Sequence, residues 1–165
     1  MFILITGVPG TGKSTLAEEL KKKLYKYKFS IINDKDFSKE NKLGKECKDG
    51  EYEVGVVKLN KALSDYLSKY VNKNIIFDGH LWCEVSKALL KKFTFVFLLE
   101  SSETLLRKRM KERKYLPLKI EDNVFCQTTR YIPKLLKSKK IECNLIKVND
   151  DIKLNIKKIN KFLKL

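Results

Sequence analysis

Four cysteines, one histidine, three prolines and four arginines are all that 165 residues hold of the types that most often mark a covalent constraint or a special chemistry. Cys47, Cys83, Cys126 and Cys143 are far apart. They form no Cys-x-x-Cys and no Cys/His pair at zinc-ligand spacing, which speaks against a disulfide framework and a thiolate metal centre. A reducing compartment is expected: the cytoplasm, with the nucleus open in a eukaryotic cell. No apolar run approaches the roughly 18 residues of a membrane span. Met1 leads into an apolar strand pattern instead of a basic leader, so the expectation is a soluble chain, complete from its first residue, with no membrane role. Internal repeats and low-complexity linkers are absent as well. The chain reads as one domain, 1–165, large enough to bury about two-thirds of its unfolded surface.

Lysine is what the chain has in excess. Lys and Arg together number 36 against 20 acidic residues, for a net charge of +16, and only four of the 36 are Arg. Such a charge suits attraction to RNA or to a ribosomal surface. The lysines are spread along every amphipathic stretch beside Asn and Ile, however, and that spread fits a composition bias that solvates helix faces. Against this background the arginines stand out: Arg107, Arg109 and Arg113 fall within seven residues, with Arg130 further on. A guanidinium offers a planar fork to phosphate oxygens and a flat face to a base, which an ammonium cannot copy. Arg109 and Arg113, four apart, share a helix face. Pairing with Glu103 or Glu112 on the same helix is the structural alternative.

The most specific pattern is at the start. An apolar strand, 2–6, runs into Gly7-Val8-Pro9-Gly10-Thr11-Gly12-Lys13-Ser14, a complete phosphate-binding loop, and an amphipathic helix follows. In such a loop consecutive backbone N–H groups and the positive helix end face the β-phosphate of a nucleoside triphosphate. Lys13 reaches the β- and γ-phosphates, Ser14 takes the magnesium ion that accompanies ATP, and Gly10, Thr11, Gly12 and Thr15 complete the cradle.

Strand patterns at 2–6, 29–32, 74–77, 93–98 and 144–148 alternate with helix patterns at 13–27, 52–70, 84–91, 102–114, 119–137 and 150–162. Ser101 or Ser102 and Asp150 or Asp151 are expected N-caps. The stretch 33–55, with an Asp49-Gly50 turn, is the least regular. Alternation of this kind predicts an α/β fold, a parallel sheet with helices on both faces, with ligands at the carboxyl ends of the strands. That places the phosphate loop, Asp34, Asp36, Asp78, His80 and Glu100 around one cleft.

Asp78 ends an apolar strand, where a carboxylate can order the water shell of Mg²⁺ beside the loop. His80 is the chain's one histidine. A monophosphate acceptor attacks through an oxygen that is already ionised, whereas water or an alcohol benefits from a group that positions it or takes its proton. An imidazole beside the metal carboxylate therefore points toward hydrolysis or a hydroxyl acceptor.

Residues 3–17, residues 36–43, Asp78-Gly79-His80, and Arg109-Met110-Lys111-Glu112-Arg113 followed by Asp122-Asn123-Val124-Phe125-Cys126 together resemble the CINAP-type adenylate kinases. These form the adenylate kinase isoenzyme 6 family of ribosome-assembly ATPases in eukaryotes and archaea. The resemblance implies a three-layer P-loop NTPase of nucleoside-monophosphate-kinase type, its five-stranded parallel sheet in the order 2-3-1-4-5. It implies an AMP-binding segment at about 33–69, with Asp36 and Lys39 toward the substrate, and a short lid at about 113–119. It further implies Lys13, Asp78, His80, Arg109 and Arg113 as catalytic residues, Arg109 also against the ATP, and Mg²⁺ held by Ser14 and Asp78 through water. The implied activity is ATP plus AMP to two ADP, with a slow ATPase. The implied partner is the small-subunit ribosomal protein uS11 (eukaryotic S14), close to pre-ribosomal RNA during late subunit maturation. Lys39, Lys114 and Gln127 depart from that family's pattern, where arginine, glycine and glutamate are common. A small P-loop kinase of a hydroxyl acceptor, or an assembly ATPase with weak kinase activity, are the alternatives.

Overall fold

A computed structural model describes residues 1–47 and 52–163. The elements in chain order are β1 (Phe2–Thr6), α1 (Lys13–Lys23), β2 (Ser30–Asn33), α2 (Asp34–Glu40), β3 (Gly44–Glu46), β4 (Tyr52–Val54), α3 (Val56–Lys69), β5 (Ile75–Asp78), α4 (Lys87–Leu90), β6 (Phe95–Glu100), α5 (Glu103–Glu112), α6 (Pro117–Thr128), α7 (Tyr131–Ser138), β7 (Asn144–Lys147) and α8 (Ile152–Leu163). The main sheet has the order β2-β5-β1-β6-β7, every pair parallel. Counting only these five strands along the chain gives 2-3-1-4-5, so the fold is the three-layer P-loop NTPase arrangement expected from the sequence.

Strand periodicity divides the core. Ile3 and Ile5 of β1 face Leu16, Ala17 and Leu20 of α1 and Ile156, Ile159 and Leu163 of α8. Phe2 and Leu4 face the other way, into a larger cluster with Leu59, Leu63 and Leu67 of α3, Leu106 and Met110 of α5 and Leu136 of α7. Trp82, the one tryptophan, is fully buried there, edge-on to Phe37 and Phe77. With both faces covered, β1 and β5 are buried throughout their length.

The structure corrects several boundaries. The irregular 33–55 stretch contains α2 and a two-stranded antiparallel hairpin, β3 with β4; the Asp49-Gly50 turn lies outside the described residues. The expected helix 52–70 starts only at Val56, because Tyr52 to Val54 pair with β3. The 84–91 helix is a 3-10 turn, Leu81–Glu84, followed by a four-residue helix capped by Ser86. The 119–137 helix is two helices broken at Arg130, whose φ of 56° is left-handed. Pro133 explains the break: inside a continuous helix it would clash with the preceding turn, but in the first turn of α7 it is tolerated. Pro117 likewise opens α6 at its first position. α1 ends early, at Lys23, into a 3-10 turn that Lys28 closes at φ 52°.

Candidate functional site

The loop between β1 and α1 folds on itself before any ligand is involved. Gly12 caps α1 at φ 88°, a left-handed position that favours glycine. The buried Thr11 hydroxyl donates to the Val8 carbonyl at 2.9 Å, and Lys13 Nζ donates to the same carbonyl at 3.1 Å. Burial lowers the Lys13 ammonium from its ordinary range, against the pull of Asp78 and Asp34. A cation held at some cost beside two carboxylates is ready to meet a further anion.

β5 lies beside β1, in register Ile5 to Asp78, and so delivers Asp78 to the foot of this loop. Ser14 Oγ donates to Asp78 Oδ2 at 2.6 Å, and Asn33 Nδ2 donates to the same oxygen at 3.1 Å. The other carboxylate oxygen, Oδ1, is buried and has no hydrogen-bond partner among the described residues. A buried carboxylate oxygen left unsatisfied is costly and calls for a water or a cation. Hydroxyl and carboxylate are the hard oxygen donors that Mg²⁺ takes, usually through retained waters, so the residues present fit that ion.

Asn33, the last residue of β2, does two jobs: its Oδ1 caps α2 by accepting from the Lys35 and Asp36 amides, and its Nδ2 steadies Asp78. Asp34, next to it, is buried at 4% exposure. Its Oδ2 accepts from the Leu81 amide at 2.7 Å and stands 3.7 Å from His80 Nδ1. Burial pushes the Asp34 carboxyl above the ordinary carboxylate range, although His80, the Leu81 amide and Lys13 all act the other way. His80 itself is about half exposed.

Two cavities flank the loop. One, of about 250 Å³, lies between Thr11, Gly12 and Thr15 on one side and Arg109, Arg113, Asn149 and Asp150 on the other. Arg109 spans it: Nη1 donates to the Gly10 and Thr11 carbonyls at 3.5 Å, and Nη2 donates to the Asn149 carbonyl at 3.3 Å and Asp150 Oδ1 at 3.0 Å. The second cavity, of about 340 Å³, is on the β2 side, lined by Pro9, Asp34, Lys35, His80, Tyr115 and Lys119 among others.

The fold thus brings Ser14 onto Asp78 with Lys13 near them, sets His80 against Asp34, and gathers Thr11, Gly12 and Thr15 with Arg109 and Arg113 around one cavity, the Gly10 carbonyl accepting from Arg109. Arg107 makes the helix-surface pairing considered for this cluster, with Glu103 on its own helix and Glu121 on α6. Asp36 and Lys39 are exposed on α2 and line neither cavity; Lys39 pairs with Glu46 at 3.0 Å and lies over the Tyr52 ring. Glu100 lines neither cavity. Gln127 clamps the Ser101 backbone from both its amide atoms. Asn33 and Lys35 fall in the expected AMP-binding segment and Tyr115 and Lys119 in the expected lid, but none of the four was singled out by the sequence pattern, and Asp34 was placed only at the cleft. The signal available was a pair of polar side chains, Asn33-Asp34, at the end of a strand facing the phosphate loop.

The family model described as an AAA domain matches residues 3–130. The putative adenylate kinase of Thermococcus kodakarensis is 34% identical over 125 residues, 75% of this chain and 63% of that protein. That of Pyrococcus abyssi is 36% identical over 125 residues, 75% of this chain and 62% of that protein. The chain therefore spans less than two-thirds of these two relatives. The putative adenylate kinase of Pyrococcus furiosus is 33% identical over 166 residues, 100% of this chain and 83% of that protein. Among solved structures, the YorR protein of Bacillus subtilis superposes with a TM-score of 0.68 at 18% identity, covering 100% of this chain and 96% of that one. Deoxyadenosine kinase from M. mycoides superposes with a TM-score of 0.63 at 19% identity, over 100% of both chains. At these identities the superpositions speak for the fold alone.

Proposed function

The chain belongs to the AAA-domain family and is a distant relative of archaeal and eukaryotic adenylate kinases, and from that footing we propose that it transfers the γ-phosphoryl group of ATP to AMP. In that reaction an oxygen of the AMP phosphate bonds to the γ-phosphorus while the bond to the β-phosphate bridging oxygen breaks, leaving two ADP. The observation that carries the reading is a phosphate loop with a cavity on either side, Thr11 and Gly12 lining one and Pro9 the other, with Ser14 hydrogen-bonded to Asp78 at its helix start. The Arg109 side receives ATP and the His80 side receives the acceptor.

Lys13 neutralises the β- and γ-oxygens, and Arg109 and Arg113 close over the triphosphate; this electrostatic stabilisation is the main catalytic contribution. Ser14 and Asp78 would hold Mg²⁺, largely through its retained waters, and the ion would supply charge neutralisation on the phosphate oxygens. Residues 33–69 form the acceptor segment, where Asp36 and Lys39 meet AMP after Lys39 leaves Glu46, and residues 113–119 form a short lid. Lys35 and Lys119 supply cations to the acceptor cavity in the present geometry.

A second reaction follows from His80. An imidazole at the acceptor side is superfluous for an ionised monophosphate but useful for positioning water, so slow ATP hydrolysis accompanies the transfer. A relative from Plasmodium falciparum named an adenylate kinase isoenzyme 6 homolog is 33% identical over 144 residues, covering 79% of this chain and 75% of that protein. The role in small-subunit maturation, with uS11 as the protein partner, is proposed on the motif resemblance of residues 3–17, Asp78-Gly79-His80 and the Arg109–Arg113 stretch.

The test measures ADP and inorganic phosphate from Mg-ATP alone, with AMP, and with purified uS11. ADP as sole product, dependent on AMP, supports the kinase. Phosphate release that ignores AMP and rises only with uS11 overturns it in favour of an assembly ATPase.

A further inference from the structure

Asp34 is a buried charge in the site that the transfer of a phosphoryl group to AMP does not use. It begins α2, directly after β2, and reaches under the turn that links β5 to the 3-10 helix. It fits there because residue 79 is glycine: a Cβ at Gly79 would overlap the Asp34 carboxylate, and the backbone at φ 151° also favours glycine. The carboxylate is anchored by the Leu81 amide at 2.7 Å, and the same oxygen lies 3.7 Å from His80 Nδ1. Taking a carboxylate out of water is costly unless it is paired. Among the described residues it faces the Leu81 amide, the ring that faces the acceptor cavity and, further off, the Lys13 ammonium.

We propose that Asp34 is the positioning residue for His80: its negative charge, seated in the space left by Gly79, orients the imidazole and keeps a proton on Nδ1, so that the ring is set to handle an attacking water. The proposal rests on the reading of His80 as the group that serves hydrolysis. A carboxylate beside one ring nitrogen fixes both the tautomer and the direction of the ring. Asp34 need not touch the water or the phosphate.

Asp34→Asn separates this role from a merely structural one, since the amide oxygen of Asn still accepts from Leu81 while the charge is gone. The experiment measures ATP hydrolysis and AMP phosphorylation for the parent, Asp34→Asn, Asp34→Ala, His80→Ala and the Asp34→Asn/His80→Ala double variant. Hydrolysis is expected to fall about tenfold in Asp34→Asn, and the double variant is expected to be no slower than His80→Ala by more than about twofold, the non-additivity of two groups acting as one. Because the chain has one histidine, nitrogen-15 NMR of the neutral ring, above about pH 8, reports its tautomer without assignment. The Nδ1–H form should dominate in the parent and lose ground in both Asp34 variants. Hydrolysis at the parental rate in Asp34→Asn, losses that multiply in the double variant, or an unchanged tautomer overturn the proposal while leaving the His80 reading intact. Parental hydrolysis in His80→Ala overturns that reading, and this proposal with it.

Discussion

Gly79→Ala is the substitution whose cost follows most directly from the geometry. The alanine Cβ would occupy the space of the Asp34 carboxylate, on a backbone at φ 151°. Holding a non-glycine residue there costs about 1–3 kcal/mol. Displacing Asp34 breaks its hydrogen bond to the Leu81 amide, and a hydrogen bond to a charged group is worth about 1.5–3 kcal/mol. Rehydrating the carboxylate offsets part of this, because its burial is itself unfavourable. The net expectation is a loss of about 2–5 kcal/mol, a large share of the 5–15 kcal/mol that about any domain of this size has. With a urea m-value of about 2 kcal/mol per molar, the middle of the range for small proteins, the unfolding midpoint falls by about 1–2.5 M. Trp82, fully buried three residues away, reports the transition by fluorescence. The companion is Gly79→Ala combined with Asp34→Ala, which removes the overlap and leaves the backbone strain; it should be more stable than Gly79→Ala alone. A Gly79→Ala midpoint within about 0.2 M of the parent, or no recovery in the double variant, refutes the account of why glycine stands at this position.

Lys13→Ala should lower both AMP phosphorylation and ATP hydrolysis by at least about 10²–10³, the range for losing one preorganised stabilising group; initial rates at saturating ATP check this. Arg113→Lys should slow phosphoryl transfer about tenfold or more with an unchanged melting temperature, since lysine keeps the charge but not the fork, and an unchanged rate would assign Arg113 to the helix surface. Cys83, fully buried against Thr6, has its thiol pushed up to about 12 from the usual 9.0, by burial first of all. Above pH 9.0 the unfolded chain releases this proton and the folded chain keeps it, so the contribution is intact below 9.0 and is lost as pH rises toward about 12. Cys83→Ala should flatten the alkaline stability slope by about 1.4 kcal/mol per pH unit in that window, measured by urea titrations. In the native parent at pH about 8, thiol reagents should modify Cys83 only on unfolding.

The phosphate loop and the strand that leads into it were legible in the sequence because they rest on local patterns: glycines where the backbone must turn, a lysine and a serine at fixed offsets, and an apolar run of strand length. The order 2-3-1-4-5 came with the family resemblance alone, and the main sheet has it. Boundaries failed where a single residue competed with a pattern. Arg130 in a left-handed conformation and Pro133 in a first turn split a helix that periodicity alone extends from 119 to 137. The β3–β4 hairpin was missed because its strands are three residues each and half exposed, too short to show alternation.

What the sequence determined by itself was the strand, the phosphate loop and the carboxylate at the end of a neighbouring strand, since each is a property of adjacent residues. What only the tertiary structure decided was which distant side chains meet. Asn33 on Asp78, Asp34 under Gly79 and against His80, and Arg109 across to Asp150 join parts of the chain 41 to 47 residues apart. Parallel strand pairing sets those meetings, and it leaves no trace in local composition. The space above Asp34 is the plainest case: a glycine two places before Leu81 reads as a turn residue in the sequence, and in the fold it is the room a buried carboxylate needs.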